Sequence, residues 1–128
     1  VSALYTEIIQ DAYRNPRHRG VLDAPTHQHE DENPLCGDMM TVQLRVQDGT
    51  IAEARFQGRG CAISQASAEL LLDSLVGEPV ARVGELTRDD VLAELGIPSI
   101  SPARLKCALL PLEVLRGAVR KSAAGDSA

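Results

Sequence analysis

The chain has 128 residues, 44% of them hydrophobic but only 2% aromatic, which is enough for one core built from aliphatic side chains. A net charge of −5 and so few rings argue against a phosphate-binding surface or stacking on nucleic-acid bases. No apolar run approaches the roughly 20 residues of a membrane span, and no signal peptide is visible, so the expectation is a soluble cytoplasmic protein.

Ser2 can cap a first helix running to about Arg14, with Leu4, Ile8 and Ala12 one turn apart and Tyr5 and Ile9 beside them. Asn15-Pro16 ends it, because a residue before proline avoids helical angles. Arg17-His18-Arg19-Gly20 follows as a basic turn, readable as a solvated loop or as a docking patch for an acidic partner. Thr26 to Asn33 is polar throughout. His27 and His29 would share one face of a strand there, most simply an exposed polar edge rather than a metal site.

Asn33-Pro34-Leu35-Cys36-Gly37-Asp38 places a thiol and a carboxylate two residues apart across a glycine. A bend at Pro34 and Gly37 can turn both toward one point, a soft and hard donor pair suited to zinc or iron. Thr41 to Gln47 then alternates apolar and polar, Asp48-Gly49 signals a two-residue hairpin, and Thr50 to Phe56 is the return strand.

Gly58 and Gly60 should end that strand, and Cys61 then opens a helix reaching about Val76. Its buried stripe is Ile63, Ala66, Leu70, Leu71 and Leu75. A thiol at a helix N-terminus faces unpaired N–H groups and the positive dipole end, which favours the thiolate. Val80 to Leu86 is short and partly helical. Thr87 with Asp90 forms a variant capping box for a helix stopping at Gly96. Ser101-Pro102 starts the next helix, Pro111 should break or kink it, and Leu112, Leu115 and Val119 line a last one. Residues 1–121 would form a single domain, with 122–128 a flexible C-terminal tail.

The three cysteines, Cys36, Cys61 and Cys107, do not fit a disulfide framework. Any one alone would read as an inert buried thiol. Arg104 lies one turn before Cys107 and Lys106 flanks it, and nearby cations favour the thiolate that attacks sulfur or binds metal. Cysteine hydrolase chemistry is a poor match, since no histidine is placed with a cysteine. The long spacings between the cysteines carry little metal specificity of their own.

Taken together, several segments carry more. Asn15-Pro16-Arg17 with Gly20, Asn33 to Asp38, Gly58 to Ser64 with Ala66-Ser67, and Lys106-Cys107-Ala108 resemble, in order, the motifs of the U-type iron–sulfur cluster assembly proteins: IscU, SufU and the N-terminal domain of NifU. The resemblance runs from Tyr5 to about Val119. It implies an α+β fold, IscU/NifU-like, with an antiparallel sheet of two to three strands packed by four to five helices. It implies that Cys36, Asp38, Cys61 and Cys107 converge at one end as ligands of zinc, or of iron in a nascent 2Fe–2S cluster. Cys107 would accept persulfide sulfur from a cysteine desulfurase, with Arg104 and Lys106 assisting, and apo iron–sulfur proteins would receive the cluster.

The subtype is mixed. IscU-type members carry histidine where Lys106 stands, so Lys106-Cys107 resembles SufU, the zinc-dependent sulfurtransferase type. The proline-proline-valine-lysine segment that engages an Hsp70 chaperone in the IscU type is missing around Ile97 to Ala103. The interval between Cys61 and Cys107 nevertheless resembles the shorter IscU length. A purely structural zinc domain that binds a protein is the remote alternative.

Overall fold

Alternating apolar and polar residues make three strands, and a one-residue irregularity decides which way they face. The computed structural model describes residues 2–33, 37–97 and 101–126. After α1 (Ser2–Arg14) come β1 (His27–Asn33), β2 (Asp38–Gln47) and β3 (Thr50–Arg59), an antiparallel sheet in the order β1-β2-β3. Asp48 and Gly49 both have left-handed backbones, at φ +54° and +77°, as the predicted tight hairpin demands.

On β2 the buried positions are Asp38, Met40, Val42 and Leu44. On β3 they are Ile51, then Ala54 and Phe56. The parity changes because Arg45 pairs with Glu53 while Val46 pairs with Ile51, leaving Ala52 as an extra residue. Both strands thereby turn the same face to the core.

Four further helices follow: α2 (Ala62–Leu75), α3 (Arg82–Glu85), α4 (Arg88–Leu95) and α5 (Pro102–Asp126). The Thr87–Asp90 capping box is present in both directions, and Gly96 ends α4 in the left-handed conformation. α2 is the central helix. Every residue from Ile63 to Glu69 is buried, including Ser64, Gln65, Ser67 and Glu69, so its buried surface is wider than the stripe the periodicity predicts, and Leu70 is only half-buried. Among the described residues no helix is long and apolar enough to cross a membrane.

The outer edge of β3 is covered by the chain itself. Phe56 N donates to His18 O and Gly20 N to Phe56 O, while Gly77 N and Ile51 O, and Ile51 N and Glu78 O, pair farther along. β1 is the other edge, and its exposed Glu30, Asp31 and Glu32 discourage pairing with another strand.

Three expectations are corrected. β3 runs on through Gly58 to Arg59, because a glycine lets that strand pass against the Met39 carbonyl, where a Cβ would clash. His29 is not an exposed edge residue: its side chain is 19% exposed and its ring packs on Gly117 of α5. α5 is one helix with Pro111 inside it, not two. Pro111 has no N–H for the Cys107 carbonyl. The distortion is absorbed where Ser67 Oγ of α2 donates to the Ala108 carbonyl at 2.7 Å, and packing of Leu110, Leu112, Val114 and Leu115 holds both halves in line. The same helix continues to Asp126.

Candidate metal centre

The strand register builds the site. Met39 pairs with Arg59, so Asp38, the first residue of β2, lies beside Gly60 and Cys61 at the end of β3. Asp38 occupies an inward position of its strand and is 2% exposed. Its carboxylate accepts a hydrogen bond from Cys61 N at 3.3 Å and a longer one from Cys61 Sγ at 3.7 Å. Gly60 makes this approach possible. At φ +152°, a Cβ there would stand 2.5 Å from both Cγ and Oδ1 of Asp38.

Cys61 is the N-cap of α2, in extended conformation and half-buried, with no side-chain cap bond of its own. Its sulfur is therefore left for other chemistry at the positive end of the helix. Cys107 comes from the second turn of α5 and is 6% exposed. One donor atom from each of Asp38, Cys61 and Cys107 lies within 4.8 Å of the other two. Three elements thus deliver two thiols and a carboxylate to one point, and a buried carboxylate is stable there only with donors or a cation around it. Soft sulfur with one hard oxygen fits zinc or iron.

Cys36, the fourth expected ligand, lies outside the described residues, two peptide links before Asp38. Of the residues that flank it, Gly37 donates its N–H to the Asn33 carbonyl at 2.9 Å. Arg104 and Lys106 are exposed on the first turns of α5. Lys106 lines a cavity of about 280 Å³ with Glu32, Asn33, Leu109, Leu110 and Glu113, next to the Cys107 turn.

Sequence reasoning missed a second polar cluster farther along α2. His18, read as part of a basic turn, faces inward. Its Nδ1 lies 3.0 Å from Glu69 Oε2, and Glu69 Oε1 accepts from Arg17 N at 3.0 Å and His18 N at 2.8 Å. Only Arg17 and Arg19 remain exposed from that turn. The available signal was Glu69 itself, a charge among Ala and Leu on a helix expected to be buried.

The profile of the NifU-like N terminal domain family matches residues 4–125. The iron–sulfur cluster assembly scaffold protein IscU of Thermotoga maritima is 35% identical, the match covering 92% of this chain and 94% of that protein. The zinc-dependent sulfurtransferase SufU of Bacillus subtilis is 29% identical over 98% of this chain and 96% of its own. Among solved structures, FiSufU from Fervidobacterium islandicum AW-1, described as a candidate cluster assembly scaffold for the SUF system, superposes with a TM-score of 0.76 at 26% identity, covering 91% of this chain and 97% of that one.

Proposed function

The chain belongs to the NifU-like N-terminal domain family, and from that premise we propose that it accepts sulfur from a cysteine desulfurase and carries a nascent 2Fe–2S cluster to apo iron–sulfur proteins. The observation that supports this most is the meeting of Asp38, Cys61 and Cys107 within 4.8 Å from β2, the α2 cap and α5. Cys36 would complete a set of three thiols and one carboxylate. The working unit is residues 1–121 with the C-terminal residues outside it.

Sulfur arrives as a persulfide on the donor enzyme. Cys107, as thiolate, attacks the outer sulfur; the donor's S–S bond breaks, its electron pair leaves with the donor cysteine as thiolate, and Cys107 bears the new persulfide. Cys107 is buried, so the donor segment approaches beside the exposed turn carrying Arg104 and Lys106, whose charges favour an anionic persulfide. Asp38 is the harder and more replaceable donor toward iron. When it yields its place to sulfur, the Cys61 amide is already positioned to receive its oxygen. Two electrons from an external electron-transfer protein would reduce the persulfide's outer sulfur to sulfide, and the cluster is then cargo, held by Cys36, Cys61 and Cys107 until an acceptor takes it.

A second reading is favoured by Lys106 immediately before Cys107 and by the full-length match to the Bacillus subtilis sulfurtransferase. In it, zinc on the same four residues keeps the thiols ionised, Cys107 still receives the sulfur, and the cluster is built elsewhere. Incubating zinc-loaded protein with desulfurase and labelled cysteine, without iron, tests sulfur acceptance. Label on Cys107 that depends on Cys36, Asp38 and Cys61 is expected. Anaerobic addition of iron and sulfide then separates the readings: a stable visible chromophore supports the scaffold, its absence the sulfurtransferase. Tight zinc with no sulfur acceptance would leave a structural zinc domain instead.

A further inference from the structure

We propose that His18 Nε2 and Asp73 Oδ1, 4.0 Å apart, form a second divalent-cation site of nitrogen and oxygen donors, separate from the thiol end and next to the α1–α2 cavity that Asp73 lines. The argument begins with Glu69, whose side chain is 5% exposed. Glu69 Oε1 already accepts from Arg17 N and His18 N, so Oε2 is the oxygen that meets His18 Nδ1, and Nε2 is the ring nitrogen that faces Asp73 and is left to meet a metal. A carboxylate behind a histidine is the arrangement that orients imidazole toward metal and raises its basicity.

The geometry leaves room for an ion. Donor–metal distances of about 2.0–2.2 Å let two donors 4.0 Å apart share one cation at a wide angle. Asp73 is 46% exposed and can rotate to narrow that angle. The adjoining cavity, of about 410 Å³, is lined by Asp11, Asn15, Arg17, Glu69 and Asp73 with the apolar Ala12 and Leu70, and would bring water to the Asp73 side of the ion. Charge favours a cation as well. The carboxylates of Asp11, Glu69 and Asp73 outnumber the single guanidinium of Arg17, which pairs loosely with Asp73 at 3.6 Å and is 76% exposed. Glu94 of α4 feels the same excess: burial first, then the charges of Asp73 and Asp90, raise its carboxyl above the ordinary value.

The site is independent of the cysteine chemistry. Glu69 lies eight residues beyond Cys61, about 12 Å along the helix axis. Its nitrogen and oxygen donors accept Mn2+ or Fe2+, and with the thiol end already filled by zinc the two sites can be read separately.

The test is a Mn2+ titration of the full-length protein carrying one equivalent of zinc, followed by paramagnetic broadening of backbone amide signals. Broadening centred on Arg17, His18 and Glu69 to Asp73 is expected. Asp73→Asn and His18→Asn should each weaken binding by about 10-fold or more. Arg17→Ala should tighten it about 2- to 5-fold by removing a competing cation. Should His18→Asn fail to fold, the exposed Asp73→Asn change keeps the test decisive. Absence of binding up to about 1 mM Mn2+, broadening confined to the acidic run Glu30 to Glu32, or binding unchanged in Asp73→Asn would each overturn the proposal.

Discussion

The same helix serves two polar clusters of opposite design. At the start of α2, Asp38, Cys61 and Cys107 bring two sulfurs and a carboxylate together, and the protein bonds to that carboxylate are long, at 3.3 and 3.7 Å. Two turns on, Glu69 accepts three bonds of 2.8–3.0 Å and ties the Arg17–His18 turn to the core. Among the described residues the first carboxylate is held only by these long bonds, as the ligand exchange proposed for it would require. The second is saturated and works by orienting a neighbour. Two carboxylates equally buried thus differ in the quality of the hydrogen bonds that the described residues give them.

The largest effects should separate the two ends by chemistry. Cys107→Ser should abolish sulfur acceptance, a loss of at least ~100-fold in labelled persulfide, while leaving Mn2+ binding at His18 unchanged. Equal sulfur labelling in that variant would remove Cys107 from the mechanism. Gly60→Ala comes next. Its Cβ would stand 2.5 Å from the Asp38 carboxylate, so the carboxylate must move. Zinc affinity, read by chelator competition, should fall about 10-fold or more, and stability by about 1–3 kcal/mol.

The structural end should respond in the reverse sense. Glu69→Gln keeps the shape but removes the charge facing His18, and denaturant unfolding should register a loss of about 1–3 kcal/mol with zinc affinity unaltered. Ser67→Ala removes the buried bond to the Ala108 carbonyl beside Cys107 and should cost about 1 kcal/mol.

The smallest effect is pH-dependent. Glu94 has its carboxyl raised, chiefly by burial, so its ionised form is disfavoured in the folded state. That penalty is fully present above the folded-state value and vanishes as pH falls below the unfolded value near 4.5. Glu94→Gln should therefore stabilise the protein at pH 7 by only a few tenths of a kcal/mol, since solvent screens a group that is mostly exposed, and should make no difference near pH 3.5. A stabilisation that grows on acidification would contradict this assignment.

Much of the fold was legible in local patterns. Asp48-Gly49 fixed the hairpin, Thr87 with Asp90 began α4, Gly96 ended it, and Ser101-Pro102 marked the start of α5, because each depends on a few adjacent residues. Features that depend on packing were not. Pro111 reads as a break, yet α2 holds α5 together across it. The Ala52 irregularity hides in an ordinary strand, and the buried polar side of α2 follows from being surrounded, which no periodicity records. Of the site, the Cys36-Gly37-Asp38 spacing was readable as a donor pair. The meeting of Asp38 with Cys61 and Cys107 was accessible only through family resemblance, since tens of residues separate them. His18 with Glu69 was accessible through neither.

Proline 111 has one more implication. With no amide to give the carbonyl one turn behind it, the stretch from Pro102 to Leu110 is joined to the rest of α5 by one fewer rung of the ladder. The seating of the sulfur is therefore set by a neighbouring helix, through Ser67 on the Ala108 carbonyl, rather than by the ladder of its own helix.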